Sequence, residues 1–330
     1  MSVETIVAEL HRLREAQSDH EVMGSTAATS TLIVRCAAAP NATGVSEAAR
    51  RMAIAHGARL ILLISGKGNV QANVCAFCGR EGTETVCCEQ ITLPVDAGDP
   101  SAVLGDVDQL LLQGLPGYLW WNGRGLDQPL FSGLRRTAKR IVVDTSVEDG
   151  DGAGLVELQR ILEREPHARL WDLAWLRNAP WREMAARLFD DPARAKTLAS
   201  LEAVEVEGEA LADAALIAGW IGTQLGYAVS KKSAQFKTPT GGRVSFTYAR
   251  SAGSESVERI RLRVRDATFQ AERQGNSVFL SVRSGGEQRG RCEPFVQCAT
   301  EQLVSDALFG LGAESAFRQS LKLAARLVSR

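Results

Sequence analysis

The chain lacks any apolar stretch that could cross a bilayer. The best candidate, Leu211 to Val229, carries Asp213 and Gln224 and draws much of its apolarity from alanine and glycine, so it reads as a buried helix. It also lacks a charge imbalance. With 38 basic against 39 acidic residues the formal net charge is −1, so no global field draws it to nucleic acid or an anionic membrane, and neither is expected as a partner. Histidine is scarce: His11, His20, His56 and His167 lie far apart, and neither H-E-x-x-H nor G-x-S-x-G occurs. No glycines have the G-x-G-x-x-G spacing, because Gly66 and Gly68 are followed by Gln71, and Gly123 and Gly125 by Gln128. Gly66-Lys67-Gly68 lacks the upstream glycine and the following Ser or Thr of a P-loop and reads as a hairpin turn. No cofactor and no catalytic constellation is therefore expected. The segment Met1 to Thr5 starts no signal-peptide pattern, which makes the cytoplasm the expected location.

What is present is an ordinary globular composition of 330 residues, 45% hydrophobic and 23% charged, enough for about two domains. Short continuous apolar runs at Thr31–Cys36, Leu60–Ser65 and Ile141–Asp144 suit strands buried on both faces, with a helix over Thr43–Ala58 closing a βαβ unit. Glycine-bearing loops at 66–69 and 79–83 place Val70–Cys78 and Glu84–Leu93 in hairpins, so the sheet is expected to be mixed. Helices are expected over Val3–Arg14, Asp99–Gln113, Gly154–Arg164 and Asp172–Phe189, with a strand at Gly117–Trp121. Beyond residue 200 a helix over Leu211–Gly226 precedes alternating runs at Arg243–Arg250, Val257–Arg265, Thr268–Arg273 and Ser277–Arg283, an antiparallel meander. Two helices, Val296–Phe309 and Ala313–Val328, close the chain. The fold class is thus α/β: residues 1–200 as a three-layer mixed-sheet domain, and residues 201–330 as an α+β domain with a meander and two C-terminal helices.

Seven cysteines are an odd number, and in a cytosolic chain they read as thiols rather than a disulfide frame. Cys75 and Cys78 in one strand point to opposite faces, as do Cys87 and Cys88, so these four read as buried small hydrophobes and no metal is expected. Cys292 and Cys298 flank Pro294 where the meander meets a helix. Their spacing leaves two readings open, a redox switch or two unrelated thiols.

Five of the six tryptophans fall between positions 120 and 181. Trp120 and Trp121 are adjacent on a strand, and Trp175, Arg177, Trp181 and Arg182 combine the residue types enriched in interface anchors; core packing is the alternative. Arg259, Arg261, Arg263 and Arg265 alternate with apolar residues, so a strand would line them along one face. They form either a solvated face paired across strands or a docking surface for phosphates or an acidic partner.

The strings Cys87-Cys88-Glu89-Gln90-Ile91, Leu115-Pro116-Gly117-Tyr118-Leu119-Trp120-Trp121, Ile141-Val142-Val143-Asp144-Thr145-Ser146 and, above all, Asp172 to Glu183 resemble the glucose-6-phosphate dehydrogenase assembly protein family OpcA. His56-Gly57-Ala58-Arg59 is similar to the family's His-Pro-x-Arg stretch, with Gly57 in place of proline. The resemblance implies a non-catalytic protein that binds and activates glucose-6-phosphate dehydrogenase of the oxidative pentose phosphate pathway. It also implies, from some cyanobacterial members, regulation by thioredoxin, which favours the switch at Cys292 and Cys298. It carries no catalytic residues. The alternative is an enzyme or sensor of sugar phosphates, with Arg59, Lys67 and Asp144 at strand ends forming an anion pocket.

Overall fold

Strands rich in Ile, Leu and Val at the start of the chain are buried on both faces, as their unbroken apolar runs require. The computed structural model describes residues 2–18, 28–36, 42–65, 71–81, 84–95, 99–147, 151–230, 235–251, 253, 256–310 and 315–329. The Pro40-Asn41 turn, Lys67, Gly68 and His20 lie outside the described residues. The elements begin with α1 (Val3–Ser18), β1 (Ser30–Cys36), α2 (Ala42–His56), β2 (Ala58–Ser65), β3 (Asn73–Glu81), β4 (Glu84–Val95), α3 (Pro100–Leu110) and β5 (Gly117–Trp121). There follow α4 (Pro129–Thr137), β6 (Arg140–Val143), α5 (Ala153–Arg164), β7 (Leu170–Asp172), α6 (Leu173–Arg177), α7 (Ala179–Arg187) and α8 (Pro192–Thr197). The remainder is β8 (Leu201–Gly208), α9 (Leu211–Gln224), β9 (Ala228–Val229), β10 (Gln235–Lys237), β11 (Arg243–Arg250), β12 (Val257–Val264), β13 (Ala267–Gln274), β14 (Ser277–Ser284), β15 (Glu287–Pro294), α10 (Thr300–Phe309) and α11 (Ser315–Val328).

The chain divides into two units: Met1–Asp144 with His167–Trp171 and Glu301–Gly312, and Thr145–Pro166 with Asp172–Thr300 and Ala313–Arg330. The division therefore falls well before the expected position near residue 200. Two elements before residue 200 belong to the second unit: α5, which packs on α11, and α7, whose Trp181, Met184 and Ala185 sink into its core.

The first unit carries a seven-stranded sheet in the order β3-β4-β2-β1-β5-β6-β7, parallel across β4, β2, β1, β5 and β6 and antiparallel between β3 and β4. It is mixed, as expected. The β3–β4 connection is tighter than the reading of 79–83 as the loop, because both strands continue until Glu81 faces Glu84.

The second unit carries an eight-stranded sheet in the order β15-β14-β13-β12-β8-β11-β10-β9. Here the expected meander needs two corrections. β8 lies between β11 and β12, parallel to the first and antiparallel to the second, so those strands are not neighbours. β15, exposed along almost its whole length and without apolar alternation, adds an edge that periodicity could not reveal. The helix expected over Asp172–Phe189 is also split: β7 takes its start, and α6 and α7 break at Asn178, one residue before a helix with proline in its first turn.

The core of this unit lies on one side of its sheet, where α7 and α9 bring Trp181, Ile217 and Ile221 against Val204, Val206, Ile260, Leu262 and Phe269. α9 is buried nearly all round, which accounts for its uniformly apolar sequence. A Cβ on Gly219 would stand 2.4 Å from the Ser320 carbonyl oxygen and 3.0 Å from the Ala324 nitrogen, so glycine is what allows α11 to pack this closely. Gly219→Ala should therefore cost about 1–3 kcal/mol in a denaturant melt despite alanine's better helix propensity; an unchanged or raised midpoint would show that α11 yields freely.

Candidate interaction surface

In Leu-Glu-Ala-Val-Glu-Val-Glu-Gly of β8 and Val-Glu-Arg-Ile-Arg-Leu-Arg-Val of β12, charged and apolar residues alternate with the period of a strand. The apolar set enters the core, and Glu205, Glu207, Arg259, Arg261 and Arg263 stand on the opposite face. Strand register sorts this face into three transverse rows. The first is Glu207, Arg259, Glu272, Phe279 and Cys292; the second is Glu205, Arg261, Gln270, Ser281 and Gly290; the third is Ala203, Arg263, Thr268, Arg283 and Gln288.

Neutralisation differs from row to row. Arg259 Nη1 lies 2.7 Å from Glu207 and its Nη2 2.5 Å from Glu272. Arg261 lies 3.3 Å from Glu205 and donates from Nε to Gln270 Oε1 at 2.9 Å. The expectation of arginines paired across strands describes these two. Arg263 reaches the already engaged Glu205 only at 3.9 Å, and Arg283 donates to the neutral Gln288 amide at 2.8 Å. Exposed pairs of this kind are each worth no more than about 1 kcal/mol, so the ladder matters for the surface field more than for stability. Arg265 is not part of the stripe: β12 ends at Val264, and Arg265 is exposed in the turn to β13.

The face is concave. A cavity of about 480 Å³ opens across the three rows, lined only by polar side chains that include Arg259, Arg261, Arg263 and Arg283 against Glu205 and Glu272. Four guanidinium groups and two carboxylates leave a formal charge of +2. Arg283 and Thr268 escaped the sequence reading because register, not local pattern, brings them beside Arg263.

The tryptophan residues lie elsewhere. Trp120 and Trp121 are buried in the first unit, the latter beside Phe131 with ring centroids 5.1 Å apart. Trp175 and Trp181 are buried in the second. Arg182 stacks over the Trp175 ring at 3.5 Å and donates to the Trp175 carbonyl at 2.6 Å; burial pushes its guanidinium down to about 10. Arg177 donates to Ser146 at 2.7 Å and lies 3.6 Å from the buried Asp213, which also accepts from Asn178 at 2.6 Å. The four rings are thus core packing and the two arginines turn onto neighbouring groups of the same chain, a correction to the reading of these six side chains as partner anchors: rings at most 6% exposed offer little surface to a second protein.

Cysteine placement also departs from expectation. Cys78 and Cys87 face each other across the β3–β4 hairpin, 4.0 Å apart at Cα, and form a disulfide, where the sequence reading had separate thiols. The side-chain directions within each strand are as read, but a cross-strand pair depends on the register between two strands. Cys292 and Cys298 are exposed and free. Among the described residues no group of three or more His, Cys, Asp or Glu could hold a metal ion, and no helix is long and apolar enough to cross a membrane.

Of the alternative anion pocket, Lys67 lies outside the described residues and the other two members do not come together. Arg59 opens β2 and is buried in an ion pair with Glu89 at 2.8 Å, while Asp144 follows the other end of the parallel strands, after β6. In parallel strands this puts Arg59 at the N-terminal ends and Asp144 at the C-terminal ends of the sheet.

Fold and surface define an α/β protein of two units whose second presents a polar, arginine-laddered sheet face. Residues 49–160 match the family model described as the glucose-6-phosphate dehydrogenase subunit N-terminal domain, and residues 168–321 match the corresponding C-terminal domain. The chain belongs to this family, the OpcA family of glucose-6-phosphate dehydrogenase assembly proteins. Relatives provisionally named OxPP cycle protein OpcA include those of Synechocystis sp., 32% identical over 47% of this chain and 34% of that protein, and Nostoc punctiforme, 30% identical over 56% and 41%. The chain thus spans between about a third and two fifths of the length of these curated relatives. Among solved structures it is similar to aldose-aldose oxidoreductase from Caulobacter crescentus, at 12% identity, TM-score 0.46, covering 89% of this chain and 95% of that one. A protein from Bacteroides fragilis provisionally named an oxidoreductase matches at 10% identity and TM-score 0.42, covering 90% and 95%.

Proposed function

We propose that this chain is a non-catalytic assembly factor and activator of glucose-6-phosphate dehydrogenase in the oxidative pentose phosphate pathway. The observation that carries the reading is the match of both family models, in order, over most of the chain. With the tryptophans buried, the surface chemistry favours the arginine-laddered face as the part that docks on acidic groups of the enzyme. An activator works by binding one state of its target better than another, and a tenfold gain in apparent substrate affinity needs about 1.4 kcal/mol of differential binding. A few guanidinium–carboxylate contacts at such a face supply that much.

Regulation belongs to the same proposal. Cys292 stands in the first row of this face, and exposed Cys298 follows six positions on, so reduction of a disulfide between them by thioredoxin would release the segment behind β15 and alter docking.

The test is the glucose 6-phosphate saturation curve of the cognate dehydrogenase with and without this chain, reduced and oxidised. The half-saturation point should fall with wild type and stay near its unactivated value with Arg263→Glu, an exposed position whose reversal leaves the core untouched. No shift and no co-elution with wild type would sink the activator reading; full activation by Arg263→Glu would move docking off this face.

A further inference from the structure

We propose that Arg263, Thr268 and Arg283 form a binding site for the phosphate group of a phosphorylated polyol. These residues occupy three consecutive strands in one transverse row, so that Thr268 lies between the two arginines. Neighbouring strands are about 4.8 Å apart, which places the arginine Cα atoms about 10 Å from each other. That spacing allows both guanidinium groups to close on an anion seated over the Thr268 hydroxyl.

Charge selects the ligand. The first two rows hold their own carboxylates, whereas the third row has none, and its two cations are served by a shared carboxylate at 3.9 Å and a neutral amide. A phosphomonoester carries about −1.5 to −2 at neutral pH, which matches two guanidinium groups, and its oxygens accept from two arginine forks and a hydroxyl together. A single carboxylate would leave one cation uncompensated.

The cavity selects the remainder of the molecule. At about 480 Å³ it has the size of a small-ligand site, yet no apolar side chain lines it, unlike the mostly hydrophobic pockets that take drug-like compounds. Ser281 and Gln288 border it beside the phosphate position and suit hydroxyl groups. This site does not rest on the docking proposal, although a small phosphate ester and an acidic side chain of a partner would exclude each other at the same two arginines.

The experiment is calorimetric titration of the intact chain, without dehydrogenase, at low ionic strength, using glucose 6-phosphate, inorganic phosphate and glucose as probes. Glucose 6-phosphate should bind, glucose should not, and inorganic phosphate should bind at least about tenfold more weakly than the ester. Arg263→Ala and Arg283→Ala should each weaken the ester by about tenfold or more, while Arg243→Ala, exposed on β11 outside the cavity, should leave it unchanged. Both arginines are exposed, so circular dichroism of the variants should match wild type. Absence of ester binding at millimolar concentration, or equal weakening by Arg243→Ala, would overturn the site. Equal affinity for inorganic phosphate would overturn its assignment to a polyol ester.

Discussion

Trp181→Ala is expected to destabilise the second unit by about 3–5 kcal/mol, the range for removing a fully buried large ring. Trp181 has no exposed surface, sits against Phe295 at 5.0 Å between ring centroids, and joins α7 to the core beneath the sheet. Against a total stability of about 5–15 kcal/mol for a typical domain, that loss would threaten folding itself. Trp181→Phe should cost markedly less, since the indole N–H has no hydrogen-bond acceptor among the described residues and only part of the ring volume is lost. Urea melts of the two variants measure this. A loss under about 1 kcal/mol for alanine would remove Trp181 from the core and make the motif a docking candidate again. The contrast with Arg263→Glu is useful: one variant should fail by unfolding, the other by losing its partner while its melt stays where it was.

The second large effect is expected at Asp172, which has no solvent exposure. Its carboxylate accepts from the Thr145 amide at 3.0 Å, the Thr145 hydroxyl at 2.6 Å and the Ala174 amide at 3.0 Å, so it caps α6 and ties it to the 3₁₀ turn at Thr145–Val147. Alanine leaves all three donors buried and unpaired, and a cap alone is worth about 1 kcal/mol, so Asp172→Ala should cost about 3 kcal/mol or more. An asparagine at this position retains one oxygen for the two amides but turns a donor toward the Thr145 hydroxyl, which can rotate to accept it; Asp172→Asn should fall between alanine and wild type. Thermal melts with far-UV detection would order the three proteins. Equal melting of alanine and wild type would mean that water or another side chain takes over the cap.

The Asp172 to Glu183 string is the part of the chain most readily recognised, and its interest is structural. Its aspartate is a cap, its tryptophans are core, and its arginines are turned inward onto Trp175, Ser146 and Asp213. Residue type alone favoured an interface, because tryptophan and arginine are common in both settings and composition does not distinguish them. The arginine stripe was legible for the opposite reason. Strict alternation over Val257–Val264 places alternate side chains on one face whatever the neighbouring strands are.

Local pattern in the chain was enough for the α/β class, the strands at Gly117–Trp121 and Arg243–Arg250 to the residue, and the family, since each rests on periodicity or a contiguous string. The remainder depends on how distant segments pair. The entry of β8 between β11 and β12, the pairing of Cys78 with Cys87 and the row that joins Arg263 to Arg283 all depend on strand order and register, which are set by contacts between residues distant along the chain. A one-residue change of register would send every side chain of a strand to the other face, so no local pattern could have specified them.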